Sequence, residues 1–443
     1  LSNTQKIFSN RCWVEEKLQP ATICFKDGII TEIHLKKIDD AEDFGNAVLM
    51  PGAIDAHVHI NEPGRTGWEG FDTATQAAAA GGVTTIVDMP LNASPVTTTV
   101  QAFHQKLDAS RNKLNVNVGF YGGLVPDNIL MLEDLMKAGV LGIKCFLTHS
   151  GIDEFPNVSK TTIDEAMQLI KKYKLPLLAH CEIYDEPVKS GLEENPASYQ
   201  NYLASRPKKW ENNAIDLMIL LCQENNCATH IVHVSSAEAL QNIKAAKLQG
   251  LSITAETCAQ YIYFYAENIP DKKTVFKCAP PIREKENNAL LKQALENGIL
   301  DFIATDHSPA PAEIKEIATG NLQKAWGGIA GVQFLITASW SALKQQMPLE
   351  KFIPLITTKP ANFLQIADRK GKIKIGHDAD FVIWQPEESI VVKQEDILFR
   401  HKISPYIGEQ LFGLINQTIV NGITVYKDKN IIHKNAGQWV LKK

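Results

Sequence analysis

Residues 54–60, Ile54-Asp55-Ala56-His57-Val58-His59-Ile60, form a short apolar run that ends in two histidines one residue apart. Side chains at i and i+2 of a strand share a face, so an extended chain here lets both imidazoles converge on one point. Comparable runs recur at 84–89, 115–122, 142–147, 175–181, 229–235, 251–257 and 300–306, which makes eight candidate strands. Between them lie stretches with helical spacing at 69–80, 127–138, 163–173, 214–224, 237–248 and 287–297. Thr162 with Glu165, and Ser235 with Glu238, have capping-box spacing, while Gly139 and Gly250 stand where glycine ends helices. Strand and helix in alternation predict parallel pairing through crossover helices. Eight such units close into a TIM-type (β/α)8 barrel, an α/β fold. A doubly wound open sheet is the rival topology, but its glycine-rich first turn is missing.

Both flanks read as β structure. Segments 21–25 and 29–33 alternate around Asp27-Gly28, a hairpin signal. After Lys370 come apolar runs at 381–384, 390–392, 417–421 and 423–427, the last two joined through Asn421-Gly422. The expected division is therefore residues 1–50 and 367–443 as two parts of one small β domain, with the barrel at 51–366. The 443 residues would otherwise suggest roughly three domains of about 150 residues.

Composition narrows the class of protein. Hydrophobic residues make up 44% and charged residues 21%, ordinary values for a globular chain, which exclude disorder, collagen-like sequence and a disulfide scaffold. The longest weakly polar stretch, 329–340, falls short of the roughly 18 residues a membrane span needs. No run near Leu1 combines basic residues, an apolar stretch and a small-residue cleavage site. With 45 basic against 50 acidic residues the net charge is −5, so no nucleic acid or membrane partner is expected. Cys12, Cys24, Cys145, Cys181, Cys222, Cys227, Cys258 and Cys278 form no CxxC pair and several lie in apolar runs. Reduced thiols and a cytoplasmic location follow as expectations.

In a closed barrel the active site lies at the C-terminal ends of the strands. His57 and His59 end strand one, Lys144 lies in strand four, His180 in strand five, His233 in strand six and Asp306 in strand eight. Each alone has a plainer reading. Buried strand histidines are commonly core residues, and a carboxylate at 306 could cap the next helix. Together, at comparable positions around one mouth, they point to a metal site. Lys144 is the odd member, because an ammonium repels a cation. Spacing alone makes it a structural lysine or a binder of anionic substrate, unless its neutral amine has become a carbamate.

These residues resemble the amidohydrolase superfamily, in its cyclic amidase branch of dihydroorotases, hydantoinases and allantoinases. The resemblance rests on 51–59 (PGAIDAHVH), 78–85 (AAAGGVTT), Gly142-Ile143-Lys144, His180-Cys181-Glu182, His233-Val234-Ser235 and Asp306-His307-Ser308, with 372–381 (KIKIGHDADF) in the flank. It implies a binuclear centre: His57, His59 and Asp306 on one divalent ion, His180 and His233 on the other, with N6-carboxylated Lys144 and a hydroxide between them. Zinc is the default for such donors, with manganese, cobalt, nickel and iron as alternatives. It also implies a homotetramer.

Within the branch, dihydroorotases place a carboxylate-binding arginine two residues after the histidine pair, where this chain has Asn61. Asparagine cannot make that fork. Their MPN segment is altered as well, to Met89-Pro90-Leu91-Asn92. Residues 61–71 (NEPGRTGWEGF), Cys145, 149–158 (HSGIDEFPNV) and 325–332 (AWGGIAGV) are instead similar to allantoinases, which commonly carry glutamate at the position of Gly67. The expected reaction is hydrolysis of allantoin to allantoate, in purine catabolism, with Asp306 as base and then acid. A dihydroorotase or hydantoinase activity and a non-catalytic scaffold are the alternatives. Asn92, His149, Ser150, Cys278 and Ser308 are candidate contacts to a neutral small-molecule substrate, or simply loop structure. The 308–331 stretch reads as a lid or as a surface insertion.

Overall fold

The computed structural model describes residues 4–442. Its barrel strands are Ala53–Val58, Val83–Asp88, Asn117–Phe120 (continued by Gly122–Gly123), Ile143–Phe146, Leu177–His180, Thr229–Ile231, Ile253–Cys258 and Phe302–Ala304. Every neighbouring pair is parallel. The ring closes where the backbone N–H of His59 donates to His307 O at 2.8 Å and Val58 bridges His307. Alternation builds two layers from the same strands. Leu177 and Ala179 join the large cluster beneath the outer helices, whereas Leu178 joins a separate cluster with Val87, Tyr121, Phe146, Val232 and Phe302. The eight strands and the barrel are as the sequence led us to expect.

Two helix starts differ from expectation. The helix after strand four is Lys160–Ile170, and Ser159, not Thr162, caps it by accepting from Thr162 N–H. Ser235 caps nothing: its hydroxyl donates to Pro281 O and its N–H to Glu211, and a short 3-10 turn at Ala237–Ala239 leads into Leu240–Leu248. In both places a better-placed partner outcompetes the spacing motif.

The flanks share one nine-stranded sheet. The Asp27-Gly28 turn joins Lys17–Lys26 to Ile29–His34 as expected. Val48–Pro51 runs parallel to Gln5–Val14 and antiparallel to Phe381–Val391, stitching the N-terminal strands to the C-terminal ones. Gly52 then carries the chain into the barrel where no side chain fits: a Cβ there would lie 2.1 Å from the Thr84 side chain. Near the C-terminus, Trp439–Val440 leaves this sheet and pairs with barrel strand Asn117–Phe120.

Candidate active site at the barrel mouth

The six strand-end residues meet. Asp306 Oδ1 lies 3.3 Å from His57 Nε2 and 3.2 Å from His59 Nε2, and His180 Nδ1 lies 2.9 Å from His233 Nε2. The His57 and His233 rings stack at 5.4 Å, joining the two groups. One ligand atom each from His57, His233 and Asp306 falls within 4.8 Å of the others. Lys144 Nζ, fully buried, sits 4.9 Å above the Phe146 ring two residues along the same strand. His57 Nε2, His233 Nδ1 and Lys144 Nζ have no hydrogen-bond partner. Buried polar atoms are rarely left so, and an orphaned cluster of imidazoles with a carboxylate and an amine fits divalent cations.

The electrostatics agree. Burial lowers the affinity of His57, His180 and His233 for a proton, keeping the imidazoles neutral as ligands must be. Burial also brings Lys144 down to about 8, which makes its neutral amine accessible. Asp306 is buried, which favours the neutral acid, yet His57, His59 and Lys144 outweigh this and hold it below the ordinary carboxylate range. His233 and Asp306 both have left-handed backbones, with φ of +40° and +47°.

The same residues line a cleft of about 420 Å³, a size suited to a small molecule. Asn92, His149, Ser150 and Ser308 line it too. Cys278 is fully buried between two lining residues, Lys277 and Ala279, and meets the site only through its backbone carbonyl, which accepts from Tyr202 at 2.6 Å. Asn61 stays out of the cleft and donates to Pro309 O at 3.2 Å. The 308–331 stretch is ordered over the mouth. Buried Lys315 donates to the carbonyls of Trp326 and Gly328, and Trp326 packs edge-on against Trp68 at 4.9 Å.

Several site residues escaped the sequence reading. Arg206, Lys277, Tyr202 and Trp326 line the cleft besides the candidate contacts Asn92, His149, Ser150 and Ser308. Two of the lining cations are already paired: Arg206 is forked onto buried Glu182, and Lys277 Nζ donates to Gln323 O and Ala325 O, while Lys324 is exposed. Two carboxylates stand behind the histidines. Glu182 Oε2 lies 2.9 Å from His180 Nε2, and Glu256 Oε1 lies 2.5 Å from His57 Nδ1. Burial opposes both charges, yet Arg206 and His180 hold Glu182 at about 2, and His57 and His230 do the same for Glu256. Glu182 had a legible signal, its i+2 spacing from His180. Glu256 had another, a lone charge inside the apolar strand 253–258. Arg206 had none, because a long insertion folds it back.

A parallel barrel with histidines, an aspartate and a lysine at the ends of its strands has the ground plan of a metal-dependent hydrolase. This chain belongs to the amidohydrolase family, whose model matches residues 48–425. It is 42% identical to "Probable allantoinase 2" of Dictyostelium discoideum over 92% of this chain and 83% of that protein. It is 42% identical to the allantoinase of Arabidopsis thaliana over 95% of this chain and 87% of the relative. Among solved structures, the L-hydantoinase (dihydropyrimidinase) of Arthrobacter aurescens superposes with a TM-score of 0.91 at 27% identity, covering 99% of this chain and 100% of its own. The family read from the motifs is borne out.

Proposed function

We propose that this protein is an allantoinase, which hydrolyses the cyclic amide of allantoin to give allantoate. The observation that carries the reading is the identity to allantoinases, sustained over 92–95% of the chain. Asn61, turned away from the cleft, agrees with a substrate that brings no carboxylate.

His57, His59 and Asp306 would hold one divalent ion, and His180 and His233 the other, with zinc the first choice for so many imidazoles. Lys144 would join them after its ammonium gives up a proton and the neutral amine takes up carbon dioxide, a step that makes one N–C bond and releases a second proton. The product replaces a buried cation by an anion with two oxygen donors. When bound, two such ions acidify a water and polarise the ring carbonyl. Asp306 accepts the proton of the attacking water and delivers it to the departing ring nitrogen, serving as base and then acid. Asn92, His149, Ser150 and Ser308 offer the ring hydrogen-bond partners, where an unmatched polar group would be costly. Lys315 and Lys277 keep the 308–331 stretch over the mouth, which limits water. The reading includes a homotetramer and a cytoplasmic location. The eight free cysteines, all buried, suit a reducing compartment, and no helix among the described residues is long and apolar enough to cross a membrane.

The test is turnover of allantoin, dihydroorotate and hydantoin by metal-loaded protein, with light scattering for assembly. Allantoin turnover is expected. Dihydroorotate or hydantoin turnover with none of allantoin refutes the assignment, and a folded protein that takes up no metal points to a scaffold.

A further inference from the structure

Neutral imidazole carries one N–H and one lone pair, so a ring can face a metal correctly only if its hydrogen is kept on the far nitrogen. His57 and His180 need opposite tautomers. His57 turns Nε2 toward Asp306, and His180 turns Nδ1 toward His233. In each ring the far nitrogen meets a buried carboxylate, Glu256 at 2.5 Å and Glu182 at 2.9 Å. Those carboxylates are themselves anchored. Glu182 takes the Arg206 fork through both oxygens. Glu256 Oε2 lies 3.3 Å from His230 Nε2, and the His230 ring is stacked 5.2 Å from Phe302. A carboxylate held this way accepts a hydrogen and cannot supply one, so the far nitrogen keeps its proton and the lone pair stays on the metal side.

We propose that Glu182 and Glu256 are the positioning residues of the metal centre, each setting the histidine tautomer of one half, so that each support governs chiefly the ion of its own half. Glu182 keeps His180 for one ion and Glu256 keeps His57 for the other. Arg206 is part of the device, because it neutralises Glu182 from the substrate side of the cleft. The inference rests on the metal-binding reading above and goes beyond it, since that reading assigns ligands and leaves their orientation unexplained.

The experiment follows metal rather than turnover. Zinc-loaded protein is mixed with a chromogenic chelator, and release is followed alongside the metal content per chain after dialysis. Wild type should hold two ions and release them in two phases. Glu182→Gln should speed one phase by about 10–100-fold, the usual loss when such a support is removed, and change the other, which shares Lys144, far less. Glu256→Gln should speed the other phase. Glu182→Gln with His180→Ala should release metal no faster than His180→Ala alone, because both act on the same half. Glu182→Gln leaves the half-buried Arg206 charge without its partner, so the double variant Glu182→Gln/Arg206→Met, which removes both charges, must show the same selective loss with a circular dichroism spectrum like wild type. Two ions retained at wild-type rates in that folded double variant overturn the proposal, as does equal acceleration of both phases by either single variant. A wild type that binds no metal instead defeats the metal-binding reading itself.

Discussion

The mouth of the barrel is most sensitive where a glycine lets two loops touch, and Gly328→Ala probes that contact. Gly328 has φ +134°, a conformation that side chains rarely adopt, and is held from both sides: its N–H donates to Lys277 O at 2.8 Å and its carbonyl accepts from Lys315. A Cβ at this position would lie 2.5 Å from Ser308 Cβ and 2.6 Å from Ser308 O, against an ordinary contact of 3.4 Å or more. The two backbones must part by about 0.8 Å to accept it. Ser308 cannot move alone, because its hydroxyl is 3.0 Å from Asp306 O and 3.1 Å from Asp306 Oδ1. A displacement approaching 1 Å at a catalytic group costs about 100-fold in rate, so kcat for allantoin should fall by roughly that factor at full metal load. The left-handed backbone adds about 1–2 kcal/mol of strain. At about 2.1 cal/mol/K of unfolding entropy per residue, a chain of 443 residues should then lose only about 1–2 °C in Tm. Gly327→Ala is the comparison, since its Cβ meets no protein atom nearer than 3.9 Å and leaves the Ser308 contact intact, so kcat should fall far less although the residue lines the cleft. A Gly328→Ala enzyme with kcat within about threefold of wild type would refute the reasoning.

Asp306→Asn should lower kcat by about 10²–10⁴-fold, the range for loss of a general acid–base, with far-UV circular dichroism checking that the fold persists. Lys106→Met should destabilise by about 3–5 kcal/mol, because it strands the Asp88 carboxylate, buried and paired at 2.5 Å. Denaturant midpoints read this, and Asp88→Asn added to Lys106→Met should recover part of it. Stability should also carry a pH slope from Lys315, whose ammonium burial brings down to about 7 from an ordinary 10.5. Below pH 7 both folded and unfolded chains hold that proton; between about 7 and 10.5 only the unfolded chain does, so this group makes stability rise with pH. Lys315→Met should flatten the rise in Tm between pH 7 and 9, and an unchanged slope would count against the burial of that charge.

Much of the fold was legible because the barrel repeats one rule, an apolar run followed by a helical stretch, and each run around 143–146 or 177–180 announces itself without its neighbours. The ligands were legible for the same reason: in a parallel barrel, position along a strand is also position relative to the mouth. What stayed hidden depends on distance in sequence. Arg206 reaches Glu182 only because a long insertion folds back between strands five and six. Glu256 meets His57 across 199 residues, a contact that no local spacing encodes. Cys278, a candidate contact by sequence, is buried between the lining residues Lys277 and Ala279, because the side of the chain that faces the cleft there is set by packing. The capping motifs at Thr162 and Ser235 failed because Ser159 in one place, and Glu211 with Pro281 in the other, took the hydrogen bonds first.

Strand endings show a different kind of limit. Alternation carried the sixth and eighth strands to 235 and 306, but their ladders stop at Ile231 and Ala304. Two residues past each end stands a ligand in left-handed conformation, His233 and Asp306. Such a residue breaks the pleat and redirects its side chain, at about 1–3 kcal/mol each. The surrounding structure sustains it: Val234 N–H donates to Glu256 O at 2.8 Å, and Ser308 N–H donates to Ile329 O at 2.9 Å. A glycine at either position would relieve the backbone and delete a ligand, while any bulkier residue would keep the strain and lose the ligand too. Stability and metal binding therefore make opposite demands at 233 and 306. The presence of a histidine and an aspartate there, in conformations they adopt at a cost, argues that the chemistry at the mouth set these positions and the packing of the barrel accommodated them.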